Sequence, residues 1–366
     1  MKFESATEQF AQAVSTAVRF IEKRVNLPVL SSILITAEKG GRVTLRATNL
    51  ECGVEITVQA KVSSEGIVAV PGSTLHGLLG NMRAKTISMA LAGEMLKVEA
   101  ERVSASLKTI PHDDFPILPK VSASTSFTIK SSDLMRAIRN VAYCASTSAI
   151  KPELQSIVVY ADGGKLVTAA TDSFRLAEKI VPLKKGNTVP QLLLPIRNAA
   201  ELMRLLEGSN EEVEIYYNEH QISTYVQDMY YTSRLIDGTF PNYRQIVPKS
   251  FTTEAVVLRE DFAQALKSLS VFADKFAQVS FTVDPIKKAI VLSSRNPDVG
   301  EEISTIRATI SGDAVSMNFN GRYLADSLQG IPGESVRIHS NGPGKALFIT
   351  DAGDGSFYYL AMPMNR

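Results

Sequence analysis

The side chains best suited to hold a metal or to transfer protons are the four histidines, and they are scattered along the chain. Metal sites in proteins usually draw ligands from short, regularly spaced stretches of sequence. The stretch closest to that pattern is His112-Asp113-Asp114, which lacks a second histidine or a cysteine. We interpret it as a solvated turn and predict no metal site. The histidines are His76, His112, His220 and His339.

A glycine-rich stretch, Gly342-Pro343-Gly344-Lys345, resembles the end of a phosphate-binding loop. It lacks the glycine expected five positions before Gly344, where His339 stands, and it lacks Ser or Thr after the lysine. We therefore interpret it as a hairpin turn. The sequence also contains no Gly-x-Gly-x-x-Gly, no Gly-x-Ser-x-Gly and no Cys-x-x-Cys. It predicts no cofactor and no catalytic site.

Three short segments combine apolar and basic residues, and each follows a strand-like run: residues 171–176 (TDSFRL), 240–244 (FPNYR) and 362–366 (MPMNR). Methionine and leucine walls adapt to varied apolar anchors. An arginine such as Arg175, together with backbone groups, can orient an extended peptide. If the fold brings the three segments together, they predict a groove for the peptide of another protein.

An internal repeat predicts the elements that position these segments. Apolar residues at helical spacing begin at Phe10, Leu134 and Phe262, at intervals of 124 and 128 residues. In each copy two strand-like runs, a second helix and closing strands follow. The paired runs are 27–35 and 43–49, 154–160 and 166–172, and 279–283 and 289–294. The second helices are 73–82, 198–206 and 321–328, with Ser73, Asn198 and Asn320 as N-caps. The closing strands are 96–110, 222–236 and 346–363.

The repeat predicts an α+β fold of three tandem domains, each with antiparallel sheets backed by two helices. We expect the domains at residues 1–121, 125–247 and 251–366. The content of 45% hydrophobic and 21% charged residues is typical of globular domains with apolar cores. Cys52 and Cys144 lie in apolar surroundings, so we expect buried, reduced thiols rather than a disulfide.

The net charge is +1, whereas a protein that holds DNA by electrostatic attraction alone is far more basic. Basic residues nevertheless recur off the apolar stripes of the predicted helices, as at Arg136, Arg139 and Lys267. Stabilisation of helix C-termini explains them equally well. No apolar run is long enough to cross a bilayer and the N-terminus lacks an apolar signal region, so we expect a cytoplasmic protein without a membrane partner.

At these residues the sequence resembles the bacterial beta sliding clamp family, the processivity subunit of DNA polymerase III. The resemblance extends over essentially the whole chain. Its most specific points are LPVL at 27–30, ATDSFRLA at 170–177, LIDGTFPNYR at 235–244 and MPM at 362–364. It implies a non-catalytic, head-to-tail homodimer that forms a ring around duplex DNA, independent of sequence. It also implies that the DNA polymerase III catalytic subunit, the clamp loader and other proteins with clamp-binding motifs compete for one pocket.

The resemblance also implies two sets of site residues. Those facing DNA would be Arg24, Arg136, Arg139, Arg197 and Lys267. Those binding partner peptides would be Leu154, Thr171, Ser173, Phe174, Arg175, Leu176, Pro241, Gln245, Ile246, Phe276, Asn320, Tyr323, Gly344, Ala346, Leu360, Met362, Pro363 and Met364. Ser173, Phe174 and Gln245 depart from the Gly, His and Arg frequent in the family, which affects the expected peptide preference.

Several alternatives remain open at this point. Leu154, Ile246 and Leu360 could be plain core residues. A hydrolase could use Asp113-Asp114 or Asp351, and a ring-shaped or repeat scaffold could work without DNA. The two-domain clamps of eukaryotes and archaea, which trimerise, fit three repeats poorly. By position the dimer interface would involve residues 105–108 and 269–272, and the small Ala105 predicts a weaker contact.

Overall fold

The computed structural model describes residues 1–22, 27–121, 125–186 and 188–364. Their elements fall into three repeats, each with two α-helices. The first repeat contains β1 (Lys2–Ala6), α1 (Thr7–Ala17), β2 (Ser32–Glu38), β3 (Arg42–Thr48), β4 (Cys52–Gln59), β5 (Lys61–Ser64), β6 (Gly66–Pro71), α2 (Gly72–Gly80), β7 (Thr86–Ala92), β8 (Met95–Ala100) and β9 (Val103–Lys108).

The second and third repeats follow the same order, except that the second has a single strand before its second helix where the others have two. The second contains β10 (Ser126–Lys130), α3 (Ser131–Ala142), β11 (Ser156–Asp162), β12 (Lys165–Thr171), β13 (Arg175–Pro182), β14 (Val189–Pro195), α4 (Ile196–Leu206), β15 (Glu212–Tyr217), β16 (Gln221–Val226) and β17 (Met229–Arg234). The third contains β18 (Thr253–Leu258), α5 (Arg259–Leu269), β19 (Gln278–Asp284), β20 (Ala289–Asn296), β21 (Gly300–Arg307), β22 (Thr309–Gly312), β23 (Val315–Asn320), α6 (Gly321–Asp326), β24 (Ser335–Ser340), β25 (Leu347–Asp351) and β26 (Phe357–Ala361).

The first helix of each repeat buries the apolar stripe that the sequence predicted. In α1 the buried side chains include Phe10 and Val14, and α3 and α5 bury their counterparts at the same spacing. Helix α1 packs on β3 and β4, α3 on β12 and β13, and α5 on β20 and β21. Burial of such a stripe is the main source of stability for helices of this length. These predictions are confirmed.

Two predicted strands begin later than expected. Residues Pro28–Ser31 and Pro152–Gln155 form single 3-10 turns, and the strands begin at Ser32 and Ser156. The cause is the proline at the start of each turn, because a residue without an N–H cannot pair in the interior of a sheet.

The predicted helix starts are correct in one case of three. The Asn320 side chain accepts a hydrogen bond from the Arg322 backbone N–H at 2.9 Å and so caps α6, which ends at Asp326 before a 3-10 turn. Helices α2 and α4 instead begin directly after the prolines that end β6 and β14, so Ser73 and Asn198 lie inside them. Here, as at the other helices, the strand continues directly into the helix, so the last strand residue occupies the N-cap position, as Pro71 does for α2.

The strands form four antiparallel sheets. Their orders are β5-β1-β7-β8-β9, β10-β15-β16-β17-β4-β3-β2-β6, β14-β11-β12-β13-β26-β25-β24-β18-β22 and β21-β20-β19-β23. The two larger sheets each join strands from two repeats. At the first seam, β17 pairs with β4 from Met229 opposite Ile56 to Ser233 opposite Cys52. At the second seam, β13 pairs with β26 from Arg175 opposite Ala361 to Lys179 opposite Phe357.

The chain divides into two compact units. One contains residues 1–128 and 200–235, and the other contains residues 129–199 and those from 236 onward. In the first unit Phe20 packs edge-to-face on Tyr231 with ring centroids 6.1 Å apart. In the second unit Phe281 and Phe319 pack in the same way at 6.0 Å. The middle repeat therefore contributes half of its strands to each unit.

Both cysteines are free and buried, as predicted. Burial raises the pKa of the Cys52 thiol to about 12, although a hydrogen bond from Asn49 opposes the shift. Within the parts of the chain that the structure describes, none of the helices has the length and apolar character needed to span a membrane.

Candidate functional site

The turn between β12 and β13 is held by side chains of its own sequence. Asp172 Oδ1 accepts hydrogen bonds from the backbone N–H groups of Phe174 (2.9 Å) and Arg175 (3.0 Å). Thr171 Oγ1 donates to the Arg175 carbonyl at 2.7 Å and accepts from the Ser173 N–H at 3.1 Å. The turn places Ser173 at a φ of 78° and leaves the Phe174 side chain 62% exposed. A bulky apolar side chain is thus presented outward on a rigid support.

A glycine at position 173 is expected to stabilise the protein. Residues with a side chain are strained at positive φ, and the observed hydrogen bond of Ser173 uses its backbone N–H, which glycine retains. We expect Ser173→Gly to raise the free energy of unfolding by about 0.5–1 kcal/mol. Urea denaturation measures this. As a control, Ser106→Gly on strand β9 should lower stability, and a destabilised Ser173→Gly variant would contradict the strain argument.

Arg175 forms the back of this turn. Its Nε lies 2.9 Å from Asp172 Oδ2, its Nη1 pairs with Asp326 of α6, and its guanidinium lies 4.5 Å from the centroid of the Tyr323 ring. The arginine is largely buried, so these contacts couple the turn to α6 and set the position of the tyrosine. Arg175 therefore supports the wall of a site as well as carrying charge.

The end of the chain docks beside the turn. The Met362 N–H donates to the Phe174 carbonyl at 2.8 Å, and the Met364 N–H donates to the Asn318 carbonyl at 2.8 Å. A cavity of about 520 Å³ opens there, which we call the terminal pocket. Its volume is typical of ligand sites. It is lined by Phe174, Lys275, Phe276, Ala277, Asn320, Arg322, Tyr323, Met362, Pro363 and Met364.

Seven of the eighteen residues predicted to bind a peptide line this cavity: Phe174, Phe276, Asn320, Tyr323, Met362, Pro363 and Met364. Three of the cavity's lining residues, Lys275, Ala277 and Arg322, were missed by the sequence reasoning. Lys275 and Arg322 directly precede predicted members, and the Lys275 Nζ lies 5.0 Å from the centroid of the Phe276 ring. A search for charges next to the apolar members would have found both.

The other predicted pocket residues lie around the turn, in the core or on neighbouring loops. Leu154, Thr171, Leu176 and Leu360 are buried, and Leu176 pairs with Leu360 across the second seam. The core alternative thus holds for Leu154 and Leu360. It is wrong for Ile246, which is 62% exposed. Pro241, Gln245 and Gly344 are exposed, Ala346 is half-buried against the core of the seam, and Ser173 and Arg175 belong to the turn.

The linker that carries Pro241 and Ile246 is anchored at a buried carboxylate. The Tyr243 hydroxyl donates to Glu178 on β13, and Tyr160 Oη lies 2.8 Å from the Tyr243 hydroxyl. Burial and then the Glu178 charge raise the pKa of Tyr243, so its hydroxyl stays protonated and donates at neutral pH. Phe240 packs in the same buried cluster. The linker therefore lies fixed along the second seam.

The predicted DNA-facing residues that the structure describes are all exposed: Arg136, Arg139, Arg197 and Lys267. Arg136 also pairs with Asp133 at 2.7 Å, which reduces its net field. Arg139 and Lys267 lie in the last turns of α3 and α5. Arg24 lies outside the described residues.

The acidic residues considered as catalytic groups of a hydrolase lie in a solvent-exposed turn or accept hydrogen bonds from the backbone. Asp113 and Asp114 lie in an exposed turn, closed by a hydrogen bond from the Phe115 N–H to the His112 carbonyl, as predicted. Asp351 is buried and accepts the backbone N–H groups of Gly333 and Gly353 at 2.8 and 2.7 Å. Within the described ranges, no group of three or more His, Cys, Asp or Glu residues is arranged to hold a metal ion.

Residues 342–345 form the predicted turn between β24 and β25.

Comparison with known proteins gives one consistent result over the whole chain. Family models described as the N-terminal, central and C-terminal domains of the DNA polymerase III beta subunit match residues 1–119, 128–242 and 244–365. The beta sliding clamp of Caulobacter vibrioides is 26% identical, with 100% of both chains covered. That of Synechococcus elongatus is 28% identical, covering 100% of this chain and 99% of that protein. The crystal structure of the DNA polymerase III subunit beta from Pseudomonas aeruginosa superposes with a TM-score of 0.94 at 25% identity, covering 100% of each chain.

Proposed function

The chain belongs to the DNA polymerase III beta subunit family, and on that premise we propose that it is a DNA sliding clamp. Two copies form a head-to-tail ring around duplex DNA and tether the replicative polymerase to it. The ring carries no catalytic activity and works in the cytoplasm. We assign the three clamp domains to residues 1–121, 125–247 and 251–366, and the spans of the three family matches support this division.

Ring closure follows from the pattern of the two seams. The fourth strand of the first repeat, β4, pairs with β17, the last strand of the second repeat. The equivalent strand of the second repeat, β13, pairs with β26, the last strand of the third. Two strands of these same kinds lie at sheet edges: β21, the fourth strand of the third repeat, and β9, the last strand of the first. A third seam of the same type joins β21 of one copy to β9 of another, and two such seams close a dimer.

The side chains on these edges suit that contact. Ile303 on β21 is 67% exposed, Val271 beside it in the turn Ser270–Phe272 is exposed, and Val103 is exposed on β9. Glu301 and Glu302 lie on β21, whereas Arg102 and Lys108 lie at the ends of β9, so the charges are complementary. Lys108 and Val271 belong to the two stretches expected from the sequence, residues 105–108 and 269–272. The small Ala105 in β9 is half-buried and reduces the apolar area available to the seam.

The proposal for DNA rests on a weak, sequence-independent attraction. The net charge of +1 and the exposed Arg139, Arg197 and Lys267 fit a ring that retains DNA by enclosing it and slides along it. Strong phosphate contacts would hold the ring in place and make its binding steeply salt-dependent. We include Arg24 and Arg136 in this lining.

We propose that the terminal pocket binds the peptides of partner proteins. Apolar walls and a turn held by its own hydrogen bonds suit an extended segment with apolar anchors. Partners are the DNA polymerase III catalytic subunit, the clamp loader and other proteins with clamp-binding motifs. The exposed Pro241, Gln245 and Ile246 extend the binding surface along the linker, and Gly344 and Ala346 border it. Thr171, Leu176, Leu154 and Leu360 support it from the core.

Retention on circular DNA tests the function directly. The protein, loaded by a bacterial clamp loader with ATP onto a nicked plasmid, should stay with the DNA through gel filtration at high salt. Cutting the plasmid once should release it, because only topology holds the ring. Retention that falls with salt on circular and linear DNA alike would indicate electrostatic binding. Failure to remain on circular DNA would favour a scaffold that works without DNA.

A further inference from the structure

The turn at the second seam has a counterpart at the first seam, between β3 and β4. Asn49 Oδ1 accepts from the backbone N–H groups of Glu51 (3.0 Å) and Cys52 (2.9 Å). Thr48 Oγ1 donates to the Cys52 carbonyl at 2.9 Å and accepts from the Leu50 N–H at 3.0 Å. Leu50 has a φ of 72°. The four hydrogen bonds and the left-handed residue match those of the turn at Ser173.

The strand that pairs across each seam makes the same backbone contact with the turn. The Arg234 N–H donates to the Glu51 carbonyl at 2.8 Å, as the Met362 N–H donates to the Phe174 carbonyl. Arg234 therefore stands where Met362 stands at the other seam, and Glu51 stands where Phe174 does. A cavity of about 360 Å³ opens beside this turn, which we call the junction pocket. Both seams thus carry a pocket on the same backbone support.

The junction pocket presents large apolar side chains to solvent. Leu50 is 48% exposed and Ile117, in the linker that leaves the first repeat, is 86% exposed, and both line the cavity. The linker is nevertheless anchored. Leu118 is buried against Gly53, where a Cβ would overlap it, and the Tyr230 hydroxyl donates to the Pro119 carbonyl at 2.8 Å. Ile117 is therefore held outward by ordered neighbours, as Ile246 and Phe174 are at the second seam.

We propose that the junction pocket is a second peptide-binding site, whose occupant is a short extended segment with an apolar side chain next to an acidic one. Leu50 and Ile117 provide the apolar contact. Arg234 and His220, both exposed on the rim, provide hydrogen-bond donors for a carboxylate, and Arg234 adds a positive charge. Glu51, which pairs with Arg234 through the backbone, also lines the cavity and disfavours a second acid beside it. The inference rests on the proposed peptide-binding function of the terminal pocket, whose architecture it extends to the other seam.

Calorimetric stoichiometry tests the proposal. The probe is the pentapeptide Gln-Leu-Asp-Leu-Phe, titrated into the full-length protein and into two variants with one exposed side chain changed. Two sites per chain are expected for the unchanged protein. Ile117→Asp should leave only the terminal site, and Met362→Glu should leave only the junction site. A charge exchange adds specificity, since Arg234→Glu should weaken the junction site tenfold or more for this peptide and less for the peptide with Lys in place of Asp.

The outcomes separate this inference from the function it rests on. A single site that Met362→Glu abolishes and Ile117→Asp leaves intact would overturn the junction pocket and keep the terminal one. A single site that only Ile117→Asp abolishes would support the junction pocket and refute peptide binding at the terminal pocket. No binding to any form of the folded protein would overturn both. Two sites of which neither responds to Ile117→Asp would place the second site elsewhere and contradict the proposal.

Discussion

Replacing Met362 with glutamate is expected to weaken binding of a labelled Gln-Leu-x-Leu-Phe peptide at the terminal pocket by about 100-fold, the equivalent of about 3 kcal/mol. Met362 lines the pocket and is partly exposed, so the free protein tolerates the change. A bound peptide would cover the new carboxylate with its apolar anchors and remove its water, which is strongly unfavourable for a charged group. Fluorescence polarisation measures the loss. Removal of residues 362–366 should abolish the same signal.

A matched control shows whether the loss of peptide affinity comes from the pocket or from adding a negative charge anywhere on the protein. Ile286 lies in the turn between β19 and β20, is almost fully exposed and lies outside the lining of the terminal pocket. Ile286→Glu makes the same kind of change and should leave the affinity of the terminal pocket unchanged. Circular dichroism should show both variants folded. Equal affinities of Met362→Glu and the unchanged protein at this site would mean that partner peptides bind elsewhere.

Ile303→Asp on β21 is expected to convert the dimer to monomers at micromolar concentration and to abolish retention on circular DNA. The proposed third seam covers Ile303 in an apolar contact, and a carboxylate placed there must lose water and lies beside Glu301 and Glu302 of its own strand. Because retention requires a closed ring, the loss should be complete even though only one contact changes. Sedimentation velocity measures the assembly, and the plasmid assay measures retention.

The control for this variant is Ile67→Asp. Ile67 is an exposed isoleucine on β6, which is also the edge strand of a sheet but has no place in the proposed closure. It should sediment as a dimer and remain on circular DNA. A dimeric Ile303→Asp variant would mean that the ring closes through other strands. A wild-type dissociation constant in the nanomolar range or tighter would contradict the weaker seam inferred from Ala105.

Local pattern was sufficient to predict the repeat and its main elements. The stripes of α1, α3 and α5 and the alternation of β19 follow from periodicities of 3.6 and 2, which burial on one face imposes. The starts of β2 and β11 were missed because Pro28 and Pro152 act through a single absent N–H, which a periodicity does not register.

The pairing between repeats is a long-range property that periodicity does not contain. Nothing in β13 alone identifies β26 as its neighbour, so Leu176 and Leu360 were assigned to a pocket wall although their pairing buries them. The pocket's charges were missed for a different reason. Matching to a family transfers only equivalent positions, and Lys275 and Arg322 become visible only when distances are known.

The division of the middle repeat has a consequence for cooperativity. Strands β15 to β17 belong to the same compact unit as the first repeat, whereas β11 to β14 belong to the same unit as the third. The segment that the sequence repeats is therefore not one compact unit, and we do not expect it to unfold as one body. In native-state hydrogen exchange the two halves of the middle repeat should open at different free energies, each together with its own neighbour. An excised middle repeat would keep the β12–β13 and β16–β17 pairs but would leave one edge of β13 and one edge of β17 unpaired.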